Sequence, residues 1–303
     1  MAVTDDTIGI GELARLAGLP VRTVRFYCDE GILAVGRSSG GHRRFDPEAV
    51  ERLRLVRRLR GLGLGLPAIT RVLTGERGLG EAIAAERAAL DVELADLAWR
   101  RASLRALESA AAPAERAARL ELLAAVEHGR SAREAVAAFW RGLMVAPLPA
   151  EMIDAFVDGV VPEPPADPTP AQVVAYAEMV ALTSDRALRG RLRARGRVNA
   201  TLIADEPTLL EGTADACAMA APDVLAGTVP RPGPALDRLV ETHALVRGGR
   251  DTPEFRRDLL QQISFEAEPG VARYWGLVEE VTGEPDTLGA THTWLLQALA
   301  TSI

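Results

Sequence analysis

The chain has 303 residues, 48% of them hydrophobic, with a net charge of −7 and two cysteines. That length and composition suit two or three domains with globular cores, and they exclude a wholly disordered chain. No apolar run approaches 18 residues and Met1 to Asp6 is acidic, so the sequence predicts neither a membrane span nor a signal peptide, and a cytoplasmic location.

Every one of the 35 basic residues is arginine, a bias of codons rather than of function. Charge is unevenly spread. Residues 1–75 hold twelve arginines against eight carboxylates, a net +4, which leaves −11 for the remainder. A basic head therefore precedes an acidic body. Cys28 and Cys217 are far apart, without a CxxC or a neighbouring His pair, so both read as buried thiols and no zinc site or disulfide framework is expected.

In chain order, Ile10, Leu13, Ala14 and Ala17 recur at helical spacing before Gly18, a first helix with a glycine stop. Leu19-Pro20 opens a second, "VRTVRFYCDEGIL", ending at Gly31. Its Val21, Val24 and Cys28 share an apolar face, while Arg22, Arg25, Phe26 and Asp29 share the opposite one. An aromatic ring among charges on the outward face asks for a partner. Two short helices joined by a tight turn, the second Arg-rich, form a helix-turn-helix pattern.

"LAVGRSSGGHRRF" follows as a loop whose Ser38-Ser39-Gly40-Gly41 turn can join a hairpin, with Arg37, His42, Arg43 and Arg44 making its tip basic. A helix then starts with Asp46 as N-cap and Pro47 in first position, and Leu66 to Leu73 makes one more. From Leu79 to about Ala112, Ile83, Leu90, Leu97 and Leu104 recur every seven residues, with Leu79, Leu94 and Leu107 between them. That is a coiled-coil seam, weighed against an amphipathic helix packed on its own domain.

Pro113 is expected to end this helix. Nine helices are predicted beyond it: Ala114 to Glu127, Ala132 to Val145, Glu151 to Val160, Ala171 to about Ala194, Pro207 to Ala220, Leu236 to Val246, Glu254 to Gln262, Gly270 to Val281 and Thr287 to Ala300. The Pro-rich stretches 161–170 and 228–234 read as loops, the first a candidate divide between subdomains.

The run "IGELARLAGLPVRTVRFYCDEGIL" and the following "GRSSGGHRRFDPEAVERLRLVRRLRGLGLGLPAITRVL" closely resemble the DNA-binding domain of MerR-family transcriptional regulators over residues 8–75, and the long helix extends the resemblance to about 112. The signature is Thr23-Val24-Arg25-Phe26-Tyr27, the exit Glu30-Gly31-Ile32 and the wing Gly41-His42-Arg43-Arg44-Phe45. The resemblance implies that the second helix enters the major groove of double-stranded promoter DNA. Thr23, Arg25 and Tyr27 would touch phosphates, Arg22 and Phe26 would lie near base edges, and Arg37, His42, Arg43 and Arg44 would serve the wing.

It further implies an antiparallel homodimer through Ile83, Leu90, Leu94, Leu97 and Leu104, and work on RNA polymerase through promoter distortion. Two positions depart from the family: Pro20 stands where a Ser or Thr cap is common, and Phe45 where Tyr is common. No cysteine lies between Gly75 and Ala216, which argues against a thiolate metal sensor.

The expected fold is thus mainly α: a winged helix-turn-helix head with a small β-hairpin wing over 1–76, a dimerisation helix over 77–112, and an all-helical effector-binding body over 113–303. In the body Trp140, Tyr274, Trp275 and Trp294 are candidate contacts for a small organic ligand, weighed against plain core packing. Glu266 and Glu268 are weighed as facing a cationic ligand or forming a solvated loop, and the Arg189 to Arg197 run reads as a solvated helix end. GxSxG, P-loop and GxGxxG patterns are absent, so no enzyme, metal or cofactor is expected. The competing reading is a DNA-binding regulator or architectural protein without a small-molecule effector, its body contacting another protein.

Overall fold

The computed structural model describes residues 7–37, 41–144, 147–263 and 268–303. The expected turn at Ser38-Ser39-Gly40, the end of the predicted helix at Val145, and Glu266 lie outside the described residues. The chain forms two compact units, Met1–Glu93 and Leu94–Ile303.

The first unit runs β1 (Ile8–Gly9), α1 (Ile10–Ala17), α2 (Val21–Asp29), β2 (Gly36–Arg37), β3 (Arg43–Phe45), α3 (Glu48–Gly61), α4 (Leu66–Leu73) and the first part of α5 (Leu79–Glu108). α1 stops as its glycine requires: Gly18 has φ 65°, and the Leu19 N–H donates to the Ala14 carbonyl at 2.9 Å. α2 starts at Pro20 without a side-chain cap. The Asp46 carboxylate accepts from the Glu48 N–H at 2.9 Å and Pro47 already has helical torsions, so the expected cap works although the helix proper begins at Glu48.

The strands form one antiparallel sheet in the order β1-β3-β2, pairing Ile8 with Phe45, Gly36 with Arg44 and Arg37 with Arg43. β1 is an addition to the expected hairpin; at two residues it is too short to show alternation. Leu13, Val24, Phe45, Leu53, Val56 and Ile69 are buried to 1% exposure or less and make the core. Phe45 is among them, so the ring that replaces the common Tyr sits where a hydroxyl would need a partner.

One expectation for α2 needs correction. Val21 is 37% exposed, and the inward stripe is instead Val24 and Tyr27, with Cys28 half-buried. These three stand at i, i+3 and i+4, a seam that begins one turn after the helix does.

The second unit holds the rest of α5 and ten more helices among the described residues: α6 (Pro113–Ala124), α7 (Gly129–Arg141), α8 (Ala150–Val160), α9 (Pro170–Ser184), α10 (Arg186–Leu202), α11 (Glu206–Leu225), α12 (Pro234–Val246), α13 (Pro253–Ile263), α14 (Pro269–Thr282) and α15 (Leu288–Ala300). α5 stops at Glu108 rather than near Pro113, which instead opens α6. Arginines of α6 explain the early stop: Arg116 donates to the Leu107 and Ala110 carbonyls at 3.1 and 2.9 Å, and Arg119 to Ala106 at 2.7 Å. They satisfy carbonyls that a helix end leaves open.

The long predicted helix from Ala171 is two, broken at Asp185, whose carboxylate caps the next helix by accepting from the Ala187 N–H at 2.8 Å. The Arg189 to Arg197 run is solvated as expected, its five arginines all exposed, but it lies within α10 rather than at a helix end. Arg191 makes two hydrogen bonds to Glu268, at 2.8 and 3.2 Å, Arg193 donates to the Gly142 carbonyl at 2.7 Å, and Arg189 lies 5.5 Å from the Phe139 ring centre.

Two hydrophobic clusters fill this unit. One gathers Trp99, Ala102 and Ala106 of α5 with Val136, Tyr176, Met179 and Leu277; the other gathers Ala216, Leu236, Leu239, Leu295 and Leu299. The Pro-rich stretch 161–170 does not divide the unit. Tyr274 and Tyr176 donate to the Val160 and Pro162 carbonyls, both at 2.6 Å, and pin its start. α11 and α12 meet at Gly212, where a Cβ would stand 2.3 Å from the Thr242 hydroxyl oxygen.

Candidate nucleic-acid interface

α2 turns Arg22, Arg25, Phe26 and Asp29 outward, with Phe26 46% exposed. Thr23 is half-buried and Tyr27 only 7% exposed, its ring centre 5.8 Å from that of Phe26. Tyr27 thus packs into the core and supports Phe26 from behind.

The sheet brings the wing to the same place. Gly9, Ile10, Arg25, Gly41, His42, Arg43 and Arg44 line one depression of about 700 Å³. Arg25 from α2 and three wing residues therefore share a concave basic surface, suited to an anion. The backbone of Arg37 pairs with Arg43 in the sheet.

Two contacts within this surface are not legible in the sequence. Arg43 donates to the Asp29 carboxylate at 3.0 Å. Arg44 donates through Nε to the Thr7 hydroxyl at 3.0 Å, and a second nitrogen reaches the Thr7 carbonyl. Asp29 stands four residues after Arg25 on the outward face, and that spacing is the one available signal. Burial pushes the Cys28 thiol up, against the opposing effect of Arg43, so it stays a protonated packing group.

Ile83, Leu90, Leu94, Leu97 and Leu104 of α5 are exposed by 43 to 63%. Trp99, Ala102 and Ala106 occupy a different face of that helix and are buried. The seven-residue apolar row is thus left open on a single chain.

The four body aromatics separate into two places. Trp140 and Tyr274 are core residues at 6% and 2% exposure, and with half-buried Trp275 and Phe156 they form one aromatic group: Trp140 lies 5.1 Å from Tyr274 and 6.0 Å from both Trp275 and Phe156, ring centre to ring centre. Trp294 belongs to the other cluster, its indole N–H donating to the Thr228 carbonyl at 2.8 Å. Trp294 and Trp275 also line one shallow groove of about 410 Å³. Among the described residues no helix is long and apolar enough to cross a membrane, and no group of His, Cys, Asp or Glu is arranged to hold a metal ion.

A helix-turn-helix with a basic wing beside its second helix defines a winged helix-turn-helix protein. Residues 9–76 match the family described as MerR HTH family regulatory protein. The chain is 37% identical over 111 residues to the HTH-type transcriptional regulator MerD of Shigella flexneri, covering 36% of this chain and 91% of MerD. It is 38% identical over 87 residues to nodulation protein NolA of a Bradyrhizobium strain, which is 28% of this chain and 37% of NolA. It is 35% identical over 66 residues to the regulator HmrR of Rhizobium leguminosarum, 22% of this chain and 51% of HmrR. This chain belongs to the MerR HTH family of regulatory proteins. It spans about a third of the nodulation proteins it matches, and no solved structure matches it.

Proposed function

We propose that the protein is a homodimeric transcription regulator that binds promoter DNA through residues 7–76 and answers a small organic ligand held in its helical body. The observation that carries this is the convergence of Arg25 on α2 with His42, Arg43 and Arg44 of the wing around one basic depression. Arginine forks bind phosphate or guanine in pairs of hydrogen bonds, and an exposed aromatic such as Phe26 suits the apolar edge of a base.

The exposed row on α5 supplies the dimer. Two heads related by a two-fold axis would meet two half-sites of a promoter. Transcription then responds if the ligand binds the DNA-distorting form more tightly than the resting form, since only such a difference shifts the balance between them and brings the promoter into register for RNA polymerase.

Arg25→Ala is the test. In a fluorescence-anisotropy titration with a duplex from the gene's own upstream region, affinity should fall at least about ten-fold and the salt slope by about one, as for a lost phosphate contact. Unchanged affinity with unchanged oligomeric state would refute this docking of α2.

A further inference from the structure

We propose that a groove between α8 and α11 binds an elongated organic cation with an apolar body. This rests on the reading of the helical body as the ligand-sensing part. The groove encloses about 480 Å³, inside the roughly 300–1,000 Å³ of small-molecule sites. Phe156 of α8, Leu210 of α11 and Leu288 of α15 give it an apolar lining. The groove is open at Gly159, where a Cβ would meet nothing within 4 Å.

The chemistry of its two walls selects the occupant. The charged residues of the lining are Glu151 on α8 and Glu211 on α11, both exposed, and no basic residue lines the groove. Among the described residues neither carboxylate is engaged in an ion pair. Apolar surface left facing water is unfavourable in proportion to its area. A molecule that covers it and brings a cationic group to the two carboxylates gains from both effects, whereas an anion of the same shape meets two like charges. The neighbouring groove of Trp275 and Trp294 offers less, since the indole N–H of Trp294 is already spent on Thr228.

The Phe156 ring centre lies 6.0 Å from that of Trp140, so filling the groove should alter tryptophan emission. The test compares decyltrimethylammonium, below its micelle concentration, with decanoate of equal chain length, titrated into the full chain by calorimetry and fluorescence. The cation should occupy one saturable site per chain and bind at least about ten-fold tighter than decanoate. Glu151→Gln and Glu211→Gln should each weaken the cation about three- to ten-fold without weakening decanoate. Gly159→Phe, which fills the groove, should remove the emission change with an unaltered circular dichroism spectrum; should it unfold, the two Gln variants still decide.

Equal affinity for the two probes, no saturable binding, or cation binding indifferent to both Gln variants would overturn the proposal. DNA anisotropy on the same samples separates the two readings. Intact DNA binding without cation binding removes the groove assignment alone, and absence of DNA binding by the unaltered chain overturns the regulator reading.

Discussion

Arg43 is held at 3.0 Å by Asp29, on the face of α2 that we propose meets DNA. A phosphate oxygen is the same kind of acceptor, so in the proposed docking DNA would compete with Asp29 for Arg43, and the carboxylate would repel the duplex. Asp29→Asn should therefore raise DNA affinity about three-fold or more at low salt, with the gain shrinking as salt rises; anisotropy titrations at two ionic strengths check this. In the body His243 ties stability to pH. Burial first, then the nearby Arg247 and His292, hold its pKa at about 3 against an ordinary 6.5. The folded state thus resists a proton that the unfolded chain accepts. Stability is unaffected by this residue above pH 6.5 and falls as pH drops from 6.5 toward 3, by up to about 1.4 kcal/mol per unit. Urea unfolding at pH 7 and pH 5 should show the loss, and His243→Gln should lessen the difference between the two. The outward arginines of α2 are legible in the sequence because charge has few other uses on a short helix. Asp29's partner is not, because it comes from a strand fourteen residues away.

At the scale of elements, α5 carries two apolar faces in different surroundings. Trp99, Ala102 and Ala106 are buried within the second unit, whereas Leu90, Leu94, Leu97 and Leu104 stay exposed. An apolar row of this length left in water favours a partner helix. The double variant Leu90→Glu, Leu97→Glu should give a folded monomer by light scattering with unchanged circular dichroism; a persisting dimer would remove α5 as the interface. Stability in the body has its own handles. Thr169 and Gln172 form a reciprocal cap at the start of α9, with hydrogen bonds of 3.2 and 2.9 Å. Thr169→Ala should cost about 1 kcal/mol in denaturant unfolding. Heptad spacing makes α5 readable, and glycine after an apolar run gives the end of α1. The break at Asp185 is marked only locally, by the cap residues Thr183-Ser184-Asp185 between two stretches of helix formers, and the early end of α5 depends on Arg116 and Arg119 reaching back from the next helix.

For the whole molecule, the uneven charge matters as much as any contact. Residues 1–75 carry +4 and the rest −11, so the net charge of the head favours DNA and that of the remainder opposes it. Head and seam are legible because each carries a pattern, an Arg-rich outward face and a heptad row, that packing of a single chain does not require. The body is legible only as helices, since aromatics such as Trp140 and Tyr274 look alike in a core and in a binding site until their neighbours are known. The most direct test of a dimeric, head-bound regulator is native mass spectrometry of the chain with a duplex from its own upstream region. Two chains on one duplex, lost on Arg25→Ala while the free dimer persists, is the expected result; one chain per duplex, or no complex at low salt, would contradict it.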